Sequence, residues 1–223
     1  MYDPVANASA MSRMKSVVAH LKAASLLLLV LCFAETANAG ALSGPAFVEH
    51  LRHGGYVLLM RHGSSPTTVP DKGSADPENA AHERQLNESG RNSARAMGEA
   101  IKALRIPIGA VLSSPTYRAL ETVRLASLGP AKTYSQLGDG GQSMQASAVV
   151  GQAGWLRSQV SQRPAAGSNT VIVTQMPNIE AAFGDAARGL TDGETLVFRP
   201  DGNGRSELVA KVRIGDWPIL AAR

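Results

Sequence analysis

The sharpest candidate for chemistry in the sequence is a histidine between an arginine and a glycine, Arg61-His62-Gly63, directly after the apolar run 56–60. A neutral imidazole is a nucleophile when one ring nitrogen is free and a backbone carbonyl holds the other. The adjacent arginine offers a planar fork of donors that matches phosphate oxygens, and the glycine lets the backbone approach a ligand closely. The motif is compatible with chemistry at a phosphoryl group, but by itself it is weak, because a surface Arg-His pair at a strand end is the commoner source of the same sequence.

A second arginine follows another apolar run, residues 108–112. The chain continues through Ser113-Ser114-Pro115 into a helix predicted to end near residue 125, with Arg118 in its first turn. The amino end of a helix carries positive partial charge and unpaired N–H groups, which suit anions. Two arginines and one histidine at two strand ends therefore predict a site where nitrogen attacks a phosphoryl group.

A third strand, residues 170–174, is nearly all β-branched, as expected of a strand covered on both faces. It stops at Gln175, and Pro177 fits the first turn of a following helix. Ligands and catalytic groups of α/β proteins gather at such strand-to-helix corners. The residue at this corner is therefore an amide, and no histidine occurs anywhere after residue 82.

The segments around these residues alternate between the hydrophobic periodicity of strands and that of helices. Besides the strands at 56–60, 108–112 and 170–174, the pattern predicts a short strand at 133–137, helices at 46–52 and 146–162, a helix capped by Asn87 or Ser89, and a hairpin of 196–198 with 208–212. Residues 64–81 are rich in Ser, Pro, Asp and Asn and predict a long loop of the kind that often forms a lid or binding loop. Alternation of this kind predicts an α/β layered domain with a mainly parallel sheet.

The first 39 residues have the pattern of a signal peptide. Three basic residues precede the apolar run 23–34, and Ala37-Asn38-Ala39 is a small-x-small cleavage pattern. The run is too short to span a bilayer, and translation could equally begin at Met11 or Met14. We therefore predict a signal peptide at 1–39, a single domain at 40–223, export to the periplasm or beyond, and no membrane attachment after cleavage. Lipidation of Cys32 is disfavoured because Leu31 is bulky.

Composition excludes several other classes of protein. The net charge of +4 is dispersed, without the basic stripe and interleaved aromatics of a nucleic-acid-binding protein. The single cysteine would leave with the signal peptide, which rules out an intrachain disulfide and cysteine catalysis in the remaining domain. His50 and His53 lie three residues apart, but no carboxylate or cysteine at matching spacing completes a metal site. Neither a metal nor a cofactor is expected, and no motif specifies an oligomeric state.

Four blocks in order resemble the histidine phosphatase superfamily, the phosphoglycerate-mutase-like group of branch 1. They are LLMRHG at 58–63, the region 84–101, VLSSPTYRALETVRLA at 111–126 and VIVTQMPNI at 171–179. The chain looks closest to the small exported members. The resemblance implies a three-layer α/β/α sandwich, with His62 transiently phosphorylated and with Arg61 and Arg118 binding the phosphoryl oxygens. It also places Gly63, Ser65 and Ser114 among the substrate-binding residues.

Two positions depart from the pattern of that family or leave it open. A second histidine normally stands where this chain has Gln175, which keeps a neutral donor, its side-chain NH₂, but no charge. The carboxylic acid that protonates the leaving oxygen is assigned to Asp139, with Glu83 and Asp71 as weaker candidates and a simple turn residue as the alternative for Asp139. Loss of one preorganised donor typically costs about 10²- to 10³-fold in rate.

The sequence thus predicts a metal-independent phosphomonoesterase that acts on a small phosphorylated substrate through a phosphohistidine, with weakened activity. The alternative is a catalytically inactive protein of the same fold that binds a phosphorylated ligand. Retention of His62 and both arginines favours the enzyme.

Overall fold

The computed structural model of the chain describes residues 44–66, 84–138 and 146–223, all within one unit, Ala41–Arg223. The helices are α1 Gly44–His53, α2 Glu88–Ala103, α3 Tyr117–Leu125, α4 Ala146–Val160, α5 Met176–Phe183 and α6 Asp216–Ala221. The strands are β1 Val57–Arg61, β2 Ile108–Ser113, β3 Ala131–Thr133, β4 Asn169–Thr174, β5 Thr195–Pro200 and β6 Ser206–Val212. No helix among these residues is long and apolar enough to cross a membrane.

The six strands form one mixed sheet in the order β3-β2-β4-β1-β5-β6. Strands β3, β2, β4 and β1 run parallel, whereas β5 is antiparallel to β1, and β6 is antiparallel to β5. The α/β prediction is confirmed, and so is the closing hairpin. The mainly parallel part of the sheet is the part that carries the histidine and the arginines.

The apolar side chains of the sheet divide between its two faces, as the alternation of a strand requires. Leu58 and Met60 lie in one core with residues of α1, α2, α3 and α6, and Val57 and Leu59 lie in another with residues of α4 and α5. Side chains of β1 from Val57 to Met60 are at most 2% exposed. A strand buried on both faces explains why residues 57–60 are continuously apolar.

Helix α2 begins against the segment that follows His62. The predicted cap Asn87 is confirmed: its Oδ1 accepts from Gly90 N at 2.7 Å, and its own backbone N–H donates to Ser64 O at 3.0 Å. A Cβ on Gly90 would lie 2.1 Å from Ser64 O, so only glycine allows the helix to approach this closely. The start of α2 therefore fixes the backbone immediately beyond the histidine.

The predicted strand at 133–137 is wrong in position. The strand there is β3 Ala131–Thr133, and residues Ser135–Leu137 form a 3₁₀ turn. Among the described residues its one neighbour in the sheet is β2, which ends at Ser113, and Ser113 pairs with Thr133. Beyond Thr133 no partner strand remains among the described residues, so the chain turns and buries Leu137 completely.

Candidate active site

Three parallel strands end level with one another at the edge where the predicted residues lie. Arg61 pairs with Thr174 across β1 and β4, and Ser113 pairs with Val173 across β2 and β4. The residues that follow these ends are His62, Gln175 and Ser114. The sheet order β2-β4-β1 therefore puts the glutamine between the histidine and the loop that leads to Arg118.

The His62 ring is held in one tautomer. Its Nδ1 lies 2.7 Å from Gly63 O, and its Nε2 accepts from Arg118 Nε at 3.1 Å. A carbonyl oxygen only accepts and a guanidinium only donates. The proton is therefore assigned to Nδ1 and the lone pair to Nε2, which is the form of imidazole that attacks phosphorus.

The environment of His62 keeps the ring neutral. Burial, followed by the positive charge of Arg118, lowers the pKa of His62 from 6.5 to about 3, and Arg61 and Arg84 act in the same direction. The hydrogen bond to Gly63 opposes this pKa shift but is outweighed. His62 is 3% exposed. An uncharged, desolvated imidazole next to arginines is suited to receive a phosphoryl dianion.

The pKa of His62 makes stability depend on pH in a predictable direction. The folded pKa of about 3 lies below the unfolded value of 6.5, so the stabilisation is complete above pH 6.5 and is lost as the pH falls toward 3. The free energy of unfolding should fall by about 2 kcal/mol more between pH 7 and pH 5 in the wild type than in His62→Gln. Urea unfolding at the two pH values measures this difference. Equal pH dependence in both proteins would show that His62 is not held neutral.

Arg118 and Gln175 bind each other at the centre of the site. Arg118 Nε and Nη2 donate to Gln175 Oε1 at 3.0 and 2.6 Å. The two side chains are buried, at 4% and 2% exposure. Nε and Nη2 thus share one amide oxygen, and the same two donors can form two parallel bonds to the oxygens of a carboxylate or phosphate group.

The amide nitrogen of Gln175 is directed elsewhere. Its Nε2 donates to Thr116 Oγ1 at 2.8 Å and to Ser114 Oγ at 3.2 Å, and both residues are fully buried. The sequence-based expectation that this NH₂ donates to a phosphoryl group therefore differs from the contacts seen. Ser114, expected at the substrate, has its hydroxyl in this network, and Thr116 is a residue that sequence reasoning missed.

A second threonine joins the histidine to the helix of Arg118. Thr122 Oγ1 accepts from Gly63 N at 3.0 Å and donates to Arg118 O at 2.8 Å. Gly63, expected near substrate, is thus held by its backbone. The only sequence signal for Thr122 is its position one helical turn after Arg118, on the same face of α3.

Arg61 points its guanidinium at the turn that precedes β5. Its Nη2 lies 2.6 Å from Asp192 Oδ1, and its Nη1 donates to Leu190 O at 3.1 Å. Its Nε is buried, without a hydrogen-bond partner among the described residues. The role of Arg61 as a phosphate ligand stays a prediction, and Asp192 is a further residue that sequence reasoning missed.

The remaining predicted residues are placed unevenly. Ser65 Oγ accepts from Arg84 Nη2 at 2.5 Å, which adds a third arginine beside the site. Asp139, Asp71 and Glu83 lie outside the described residues. Within the described ranges no group of three or more His, Cys, Asp or Glu side chains could hold a metal ion.

Comparison with known proteins agrees with this fold. Residues 57–137 match the family model of the histidine phosphatase superfamily, branch 1. The structure of the protein histidine phosphatase SixA complexed with tungstate is similar with a TM-score of 0.53 and 17% identity, over 72% of this chain and 98% of that chain. A mutant phosphoserine phosphatase from Entamoeba histolytica in complex with phosphoserine gives a TM-score of 0.50 and 15% identity, over 70% of this chain and 95% of that chain.

At such low identities the structural similarity shows a shared fold alone. The search of curated proteins found no match. The family model spans β1 to the 3₁₀ turn after β3, which includes both His62 and Arg118. The strand-end histidine lies within the part of the chain, residues 57–137, that matches the model of the histidine phosphatase superfamily, branch 1.

Proposed function

We propose that this protein is an exported, metal-independent phosphomonoesterase that forms a phosphohistidine on His62 and is slowed by Gln175. The match of residues 57–137 to the model of the histidine phosphatase superfamily supports a phosphatase-type function. The observation that carries the finer proposal is the buried, neutral His62, whose Nε2 lone pair faces the guanidinium of Arg118 at 3.1 Å.

The reaction follows from these two groups. His62 Nε2 attacks phosphorus, the bond from phosphorus to the ester oxygen breaks, and that oxygen takes a proton from a carboxylic acid, for which we propose Asp139. Water then gives a proton to that carboxylate and attacks the phosphohistidine, the P–N bond breaks, and phosphate leaves with the acid and the neutral His62 restored. When a ligand oxygen displaces Gln175 Oε1, Arg118 supplies its Nε and Nη2 donors to the oxygens that gain charge. Catalysis of phosphoryl transfer rests largely on such positioning and charge stabilisation.

Arg118→Ala tests the phosphate site. Hydrogen bonds to charged groups are worth about 1.5–3 kcal/mol, so orthovanadate should bind about 10- to 100-fold more weakly, and p-nitrophenyl phosphate hydrolysis should fall with it. Arg124→Ala is the matched control, because Arg124 lies on the same helix with its side chain 67% exposed. Wild-type hydrolysis should persist in EDTA. Unchanged vanadate affinity in Arg118→Ala, or loss of wild-type activity in EDTA, would contradict the proposal.

The same contacts support a second candidate, a protein that binds a phosphorylated ligand without turnover. The observation in its favour is that a neutral amide, rather than a charged donor, occupies the position between His62 and Ser114, and that its oxygen takes two donors of Arg118. A wild-type protein that binds vanadate as tightly as expected, yet hydrolyses no faster than His62→Ala, would establish this candidate.

A further inference from the structure

A short turn before β5 is fastened to the backbone of the candidate nucleophile. Arg61 N donates to Glu194 O at 3.1 Å, and Gly193 N donates to His62 O at 3.0 Å. These two bonds continue the pairing of β1 with β5 beyond the strand ends. The turn of residues 190–194 therefore cannot shift without shifting His62.

The turn is also fixed internally. Glu194, 8% exposed, accepts from Thr191 N at 2.8 Å and from Thr191 Oγ1 at 2.9 Å through one carboxylate oxygen. Gly193 has a φ of 73°, and a Cβ there would lie 2.6 Å from Ile214 Cδ1. Both features restrict the backbone around Asp192, so the position of its carboxylate is well defined.

From this position the carboxylate of Asp192 binds the guanidinium of Arg61. Its Oδ1 lies 2.6 Å from Nη2, and Leu190 O accepts from Nη1, so both terminal nitrogens are held by the turn. The buried Nε has no partner among the described residues. Leaving a buried donor unpaired costs about 1–3 kcal/mol, and such a donor in a folded protein calls for an explanation.

Stability alone does not explain this ion pair. The Arg61 and Asp192 side chains are 25% and 34% exposed, and pairs near the surface contribute about 0–1 kcal/mol. Arg61 lies directly before the nucleophile, and its charge is felt at His62. The pair is better placed to orient the guanidinium than to stabilise the fold.

We infer that Asp192 is a positioning residue, which holds Arg61 by its Nη2 so that Nε–H is kept for an oxygen of the phosphoryl group bound at His62. The inference rests on the proposed function for its catalytic consequence. Asp192 acts through Arg61 and does not contact the reacting atoms. Its carboxylate also partly offsets the positive charge of Arg61. The Asp192→Asn variant distinguishes this charge effect from the orientation of Arg61, because it removes the charge and keeps an acceptor oxygen.

Asp192→Ala should lower kcat for p-nitrophenyl phosphate by about 10- to 100-fold, because small misplacement of a positioned group costs up to about 10² in rate. KM should change by less than about threefold, since the donor matters most as charge develops in the transition state. Asp192→Asn keeps an acceptor oxygen and should recover most of the rate. Asp185→Ala, which breaks the exposed Asp185–Arg188 pair, should behave as wild type.

A double-mutant cycle then tests whether Asp192 acts through Arg61. The Arg61→Ala/Asp192→Ala protein should be no slower than Arg61→Ala alone. Additive losses, an Asp192→Asn protein as slow as Asp192→Ala, or an Asp192→Ala protein equal to wild type would each overturn the inference. If the wild type has no turnover, the proposed function fails, and orthovanadate affinity decides the inference instead: Asp192→Ala should bind about tenfold more weakly, and equal affinity would overturn it.

Discussion

His62→Ala should lose at least about four orders of magnitude in kcat for p-nitrophenyl phosphate, because removal of a catalytic nucleophile typically abolishes the covalent route. No other histidine of the described residues can take its place: His50 bonds Tyr56 Oη, and His53 lies against Glu49. Vanadate binding should be weakened far less than turnover, since Arg118 remains. Initial rates and vanadate titration measure the two effects.

His53→Ala is the matched control for this loss, because the His53 side chain is 75% exposed. It should retain wild-type turnover. A His62→Ala protein with more than about a hundredth of wild-type activity would show that the phosphoryl group does not pass through His62, since such a residue would not be the nucleophile.

Gln175→His should raise kcat by about 10²-fold, the second large effect that the site predicts. The wild-type amide oxygen accepts two hydrogen bonds from Arg118, and its nitrogen is used by Thr116 and Ser114. An imidazole at this position would supply a donor that becomes charged as the transition state forms, and one preorganised donor is worth about 10²- to 10³-fold. Rates at saturating substrate measure the gain, and a variant no faster than an active wild type would contradict this account of the site.

Gln175→Ala separates the two roles of the glutamine. If Gln175 Oε1 competes with a ligand oxygen for Arg118, its removal should tighten orthovanadate binding by about tenfold, the lower range for a hydrogen bond to a charged group. If the glutamine instead donates to the ligand, binding should weaken. Calorimetric titration distinguishes these outcomes, and a thermal melt verifies that the variant is folded. Unchanged or weaker binding would contradict the competition between the amide and the ligand.

The strand ends that build the site could be predicted from sequence because their signal is local. Residues 57–60 and 170–174 are continuous apolar or β-branched runs, and each run ends directly before a candidate site residue. The sequence also predicts Asn87 or Ser89 as the N-cap of α2, and Asn87 is the residue that caps it. The prediction of a strand at 133–137 was wrong because the end of this strand is set by the end of its partner β2. That limit is a property of the sheet and not of the segment itself.

The contacts inside the site could not be predicted in the same way. Arg61 and its acceptor Leu190 O are 129 residues apart, and no local pattern marks Asp192. The orientation of the Gln175 amide depends on which partners surround it, and the buried hydroxyls of Ser114 and Thr116 set that orientation only after the strands are paired. Sequence identified the residue types at the site, whereas the hydrogen-bond directions required the fold.

The most direct test of the account is the position of the phosphoryl group on the enzyme. The protein is mixed with p-nitrophenyl phosphate, quenched rapidly in alkali and analysed by peptide mass spectrometry and ³¹P NMR. We expect one phosphoryl group on His62, attached to Nε2, because Nδ1 is held by Gly63 O at 2.7 Å. The adduct should be absent from His62→Ala. Turnover without a phosphohistidine, or a phosphoryl group on Nδ1 or on another residue, would contradict the account.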